Sequence, residues 1–103
     1  MKLIKKLSEH IEEEIHDAKC YAKWALELKD ERRTLADTLY SISLDEMKHM
    51  GLLHDAVVKV IEDYRKTNGE PPAPMLAVYD YLHQKHIEEA QEAKTYQTRY
   101  REG

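Results

Sequence analysis

The chain has a single cysteine, Cys20, among its 103 residues, so no internal disulfide framework can hold it together. Cys20 itself reads as a small apolar helix residue. There are only 3 glycines and 3 prolines, and the prolines all fall between Pro71 and Pro74. Long stretches are thus free of residues that interrupt a helix. No apolar run approaches the roughly 20 residues of a membrane span. The opening MKLIKKLSEH is positively charged but has no apolar core, so it does not read as a secretory signal. The expected location is the cytoplasm. Basic charge is not in excess either: 16 Lys and Arg stand against 20 Asp and Glu, a formal net charge of -4, which argues against a nucleic-acid partner.

What is present is helix-forming sequence. Charged residues make up 35% of the chain, as in helices with one wet face, and the length fits one domain, residues 1–103. Apolar positions recur in steps of three and four through three segments, the spacing of a bundle seam. The first has Ile4, Leu7, Ile11, Glu14, Ala18, Tyr21, Ala25 and Leu28. The second has Leu35, Leu39, Ile42, Glu46, His49, Leu53, Ala56 and Val60, and the third Met75, Tyr79, Leu82, His86, Glu89, Ala93, Tyr96 and Tyr100. The pattern predicts an all-α fold with helices over about 3–29, 34–66 and 75–101, the first starting near residue 3 or at a Ser8 cap. KDERRT (29–34) and TNGEPPAP (67–74) are the turns, with Gly69 suited to a helix C-cap and Pro74 to opening the next helix.

The second helix carries another apolar row, Tyr40, Leu44, Met47, Gly51 and Val58, about 100° round from the first. A helix apolar on two faces needs partners on two sides, so a homodimer or higher homo-oligomer is expected. A weak repeat is also visible. EEIHDAKCY (13–21) and EEAQEAKTY (88–96) agree at six of nine positions, counting Asp17 and Glu92 as alike. It matches Glu14 with Glu89, Ala18 with Ala93 and Tyr21 with Tyr96.

Each seam is broken by ionisable groups: Glu14 in the first helix, Glu46 and His49 in the second, His86 and Glu89 in the third. A buried carboxylate is tolerated when it is paired or binds a metal. Glu14 and Glu46 lie about 17 and 15 residues from the middle of the first turn, so both stand roughly 23–26 Å from it. The same reckoning across the second turn brings His49 and Glu89 to a common height. Carboxylates with one or two imidazoles and no thiolate suit iron or manganese, and also accept zinc. The plainer alternative is that Glu46 and His49 pair with each other or with Asp45 and Lys48. Asp45 is placed to orient the His49 ring. His86 matches Ile11 in the repeat and so reads equally as structural. His10, His16, His54 and His83 read as surface or satisfied histidines, Trp24 as packing, and Tyr21, Tyr79, Tyr96 and Tyr100 as core aromatics. Gly51 either allows close helix approach or is a tolerated small residue.

EEIHDAKCY followed by DEMKHMGLLH resembles the metal-binding hairpin of the ferritin-like superfamily, nearest to rubrerythrin-type and encapsulated ferritins. The resemblance covers residues 10–56 and, in part, 83–100. It implies a ferritin-like helical hairpin plus a third helix, completed to a four-helix bundle by oligomerisation, and a di-iron centre with ferroxidase-like oxidoreductase activity on Fe(II), using oxygen or peroxide. By the same resemblance Glu14 is the lone ligand of the first helix, Glu46 bridges the metals, His49 is a terminal ligand and Tyr21 lies beside them. Glu89 and His86 are further ligand candidates. The family has a second Glu-x-x-His, and none follows Glu89. Encapsulated ferritins build the site between two subunits, each giving a Glu and a Glu-x-x-His, and this chain has the residues to do so. No encapsulin-targeting tail is evident. The alternative is a metal-free helical interaction module.

Overall fold

A computed structural model of the chain describes residues 2–103. It contains three helices, α1 (Lys2–Leu28), α2 (Arg33–Asn68) and α3 (Ala73–Glu102), and no strand among the described residues. The expected limits lie within one or two residues of these. No described helix is long and apolar enough to cross a membrane. Ser8 does not cap α1; it is buried inside the helix, because Ile4, a full turn earlier, already belongs to the core. Gly69 does end α2, with its N–H donating to the Arg65 carbonyl at 3.2 Å. Its φ of 75° lies in the left-handed region that favours glycine. Arg65 and Lys66 in the last turn of α2 suit the negative end of the helix dipole. Pro74 takes the second helical position of α3, after Ala73.

The contacts fix the directions. Glu14 faces His49 and Ala18 meets Ser43, so α1 and α2 are antiparallel. Lys85 reaches Glu12 and Lys19 reaches Glu92, both pairs 73 positions apart, so α1 and α3 run parallel. The result is a rod of 56 × 19 × 18 Å. α1 is the common partner: it packs against both other helices, which meet each other sparingly. Its buried residues are Ile4, Ser8, Ile11, Ile15, Ala18, Ala22 and Ala25. The expected seam had Leu7, Glu14 and Tyr21 where burial falls instead on Ser8, Ile15 and Ala22. A helix wedged between two neighbours centres its buried face between them, which moves Glu14 and Tyr21 to the half-buried edge. The repeat persists in burial: His86, Ala90, Ala93, Gln97 and Tyr100 of α3 are buried in the same spacing as Ile11, Ile15, Ala18, Ala22 and Ala25 of α1.

Two apolar clusters fill the rod. One gathers Ile4, Ile11, Ile15, Val57, Ile61 and Ala90; the other gathers Ala25, Ala36, Leu39 and Tyr100, with Tyr21 and Tyr40 packed against it. Between them runs a buried polar relay. Ser43 Oγ donates to the Ala18 carbonyl at 2.6 Å, and Gln97 Nε2 donates to Ser43 Oγ at 2.9 Å. At the far end Tyr100 stacks on Tyr40 with ring centroids 4.6 Å apart, and its hydroxyl donates to Asp37. Trp24 is not a packing residue of this core; it is 49% exposed. Cys20 is also exposed, its Sγ 3.5 Å from His16 Nε2.

The two internal glycines differ in kind. A Cβ at either would meet nothing within 4 Å, so Gly51 does not serve close helix approach. Gly51→Ala is expected to stabilise the chain by about 0.5–1 kcal/mol, since glycine is disfavoured within a helix. Gly69→Ala is expected to destabilise it by about 1–2 kcal/mol through the left-handed backbone alone. Urea denaturation of the two variants, compared with the parent, checks both signs.

Candidate metal centre

Glu46 and His49 are one turn apart on α2 and share a face; the antiparallel α1 lays Glu14 against that face. One ligand atom from each of the three lies within 4.8 Å of the others. His49 Nδ1 is 3.5 Å from Glu14 Oε2 and 3.9 Å from Glu46 Oε2. These are electrostatic neighbours rather than hydrogen bonds. Glu14 Oε2 is fully enclosed and has no hydrogen-bond partner. The Glu14 and Glu46 side chains are 24% and 19% exposed and that of His49 is 54% exposed, so the group is closed on the carboxylate side and open at the imidazole. Among the described residues no other set of three His, Cys, Asp or Glu side chains converges this closely.

Two carboxyls in so small a space cannot both ionise freely. The Glu14 carboxyl, bonded to Glu46 and repelling its charge, together with burial, pushes the Glu46 pKa from 4.5 up to about 7, against the opposing pull of His49. Glu46 thus keeps its proton to higher pH than a free carboxyl does. A divalent cation can replace that proton with more charge, and oxygen donors with one imidazole suit Fe(II), Mn(II) or Zn(II). One chain offers three donor groups, short of what two such ions require.

The other expected participants lie elsewhere. Glu89 has the right height, since Lys85 and Glu92 flank it and reach Glu12 and Lys19 on α1. Its direction is wrong. Residues 12 and 19 share a face of α1, whereas residue 14 is about 200° round from residue 12. Glu14 therefore looks to α2, and Glu89 sits on the α3 side. It lies 3.8 Å from Lys85, in a groove of about 870 Å³ lined also by Glu9, Glu12, His16 and Glu92. Neither Glu46 nor His49 lines that groove. His86 is buried, only 7% exposed, with Nε2 unpartnered, and burial lowers its pKa. Tyr21 packs two turns away in the second apolar cluster, and no hydrogen bond ties it to Glu14 or Glu46. Asp45 faces Lys48 at 3.9 Å rather than the His49 ring.

One grouping was not legible as such. His54 of α2 and His83 of α3 stack with ring centroids 4.7 Å apart, and Tyr79 stacks on His83 at 5.9 Å. The available signal was the spacing of His83 and His86, one turn apart on α3. Comparison of the chain with models of known families, with curated proteins and with solved structures finds no match.

The carboxyl pair makes a pH prediction. Glu46 binds its proton more tightly folded than unfolded, so its contribution favours the fold at low pH and is lost as pH rises from about 4.5 through 7. In metal-free protein, Glu46→Gln should abolish this part of the pH dependence and raise the melting temperature at pH 8. Thermal melts of both proteins between pH 5 and 8 in chelator are the check; parallel curves would show that the Glu46 pKa is not raised.

Proposed function

We propose that the chain is a carboxylate-type metal protein of ferritin-like design. In this reading Glu14, Glu46 and His49 of two copies together hold a pair of Fe(II) ions, and oxidation of that iron is the activity. The observation that carries it is the convergence of Glu14, Glu46 and His49 from two helices, the same three residues that the sequence resemblance names as ligands. The enclosed, unpartnered Glu14 Oε2 and the raised proton affinity of Glu46 also fit a cation that would replace the proton.

Iron held there would supply one-electron chemistry toward oxygen or peroxide that the side chains lack. Glu46 gives up its proton and, with Glu14, offsets the added charge. His49 supplies a nitrogen donor from the open edge, which leaves room for a second copy to approach. A two-fold axis near His49 doubles the set to four carboxylates and two imidazoles, enough for two ions. Glu89 and His86 are not required.

A second reading, a metal-free interaction module, is favoured by the large apolar side chains left outside, such as Leu52 at 68% and Tyr81 at 69% exposure. Fe(II) titration in the absence of oxygen, followed by light scattering, separates the two. The metal reading expects saturation near one ion per chain, with a dimer or larger species formed or stabilised by iron. Glu46→Ala, His49→Ala and Glu14→Ala should each abolish uptake while circular dichroism stays helical, and Glu89→Ala should change little. Uptake unaffected in the first three variants would remove the site, and association without metal uptake would favour the module.

A further inference from the structure

His86 has a setting of its own. It opens onto a cavity of about 350 Å³ between α2 and α3, where His54, His83, Asp55 and Gly51 also stand. Its residue is more than nine-tenths buried, and its Nε2 is enclosed with no hydrogen-bond partner. An imidazole nitrogen in that state has lost its water without replacement. His83 is one turn away on the same helix, and His54 approaches from the facing one.

We propose that His54, His83 and His86 form a second metal site, between α2 and α3, that takes a nitrogen-preferring divalent ion of the zinc type. Two histidines one turn apart on one helix and a third from its neighbour are a chelating arrangement. The donor set is all imidazole, with Asp55 at the rim, its carboxylate 3.9 Å from His54 Nδ1. It differs in kind from the carboxylate set at Glu14 and Glu46, so the two sites sort ions by ligand type: iron and manganese to the oxygens, zinc and its neighbours to the nitrogens. The rings of His54 and His83 are now stacked rather than converged on His86. Both are only part-buried, and binding would require each to turn its nitrogens toward His86 by a change of staggered rotamer. Lys94, the one lysine on this cavity, lies eight positions beyond His86, about 12 Å along the helix, too far to repel the ion strongly. The site does not depend on the carboxylate centre.

The test uses the full chain with Glu46→Ala and His49→Ala, which removes the first centre. Zn(II) is titrated by calorimetry, and Co(II) by its visible spectrum, which reports nitrogen donors in a four-coordinate site. The expected result is about one ion per chain in this background. Removing a partner behind a metal ligand already weakens binding about 10–100-fold, and removing a ligand costs no less. His54→Ala and His83→Ala, at part-exposed positions, should therefore each weaken binding at least about tenfold with helicity unchanged. His86→Ala lies in the core, so it is judged by the Co(II) spectrum alongside helicity. No Zn(II) uptake in the double variant would overturn the proposal. So would uptake that His54→Ala and His83→Ala together leave unchanged.

Discussion

Ser43 donates to the carbonyl of Ala18 and accepts from Gln97, and all three residues are buried. One hydroxyl thereby joins the three helices at a single level. An apolar seam alone allows neighbouring helices to slip by a turn with modest loss, whereas a buried hydroxyl and a buried amide without partners cost about 1–3 kcal/mol each. The relay fixes the register, and the placing of Glu14 and Glu46 follows from it. Glu14 is one turn before Ala18 on α1, and Glu46 is one turn's step after Ser43 on the antiparallel α2, so the carboxyls must come level. The same clamp sets α3, whose Gln97 reaches in from the parallel side.

This clamp explains why the carboxyls sit where they are tolerated. α1 has to serve two partners, and its buried stripe consists of Ile4, Ser8, Ile11, Ile15 and three alanines. Glu14 falls just outside that stripe. A half-buried edge keeps part of the carboxyl exposed while Oε2 is enclosed, and crowding of the two carboxyls raises the Glu46 pKa to about 7 beside the half-exposed His49. Lys19 and Lys85 are occupied on the opposite edge, with Glu92 and Glu12. Among the described residues His49 is the only basic side chain paired with these carboxyls, at 3.5 and 3.9 Å, and it is half exposed.

Periodicity reveals height along a rod far better than direction around it. Steps of three and four located the helices, and counting residues from the turns brought Glu14, Glu46 and His49 together. The same counting put Glu89 at that level, where it does lie. It could not tell which side of α1 Glu89 would occupy, because a stripe wide enough to cover two neighbours hides the boundary between them. Leu7, Glu14 and Tyr21 and their neighbours Ser8, Ile15 and Ala22 are both acceptable seams in sequence. Only the second survives when α3 lies against α1. Tyr21 then falls to the aromatic cluster, where the stacking of Tyr40 on Tyr100 leaves it a packing surface rather than a ligand to orient.

The same geometry explains how one helix can serve two kinds of polar group. His54 is five positions after His49, about 140° round α2. His49 faces α1 and open solvent, and His54 faces α3. The sparse contact between α2 and α3 leaves a gap there that side chains do not fill, bordered by three imidazoles together with apolar residues such as Ile11, Met50 and Ile87. On the α1 side the helices approach closely and the polar groups are two carboxyls with the His49 imidazole at the edge. Close packing crowds the carboxyls, while the looser seam leaves rings free to stack or turn. The carboxyl pair and the stacked imidazoles are thus set apart by the unequal grip of α2 on its two neighbours.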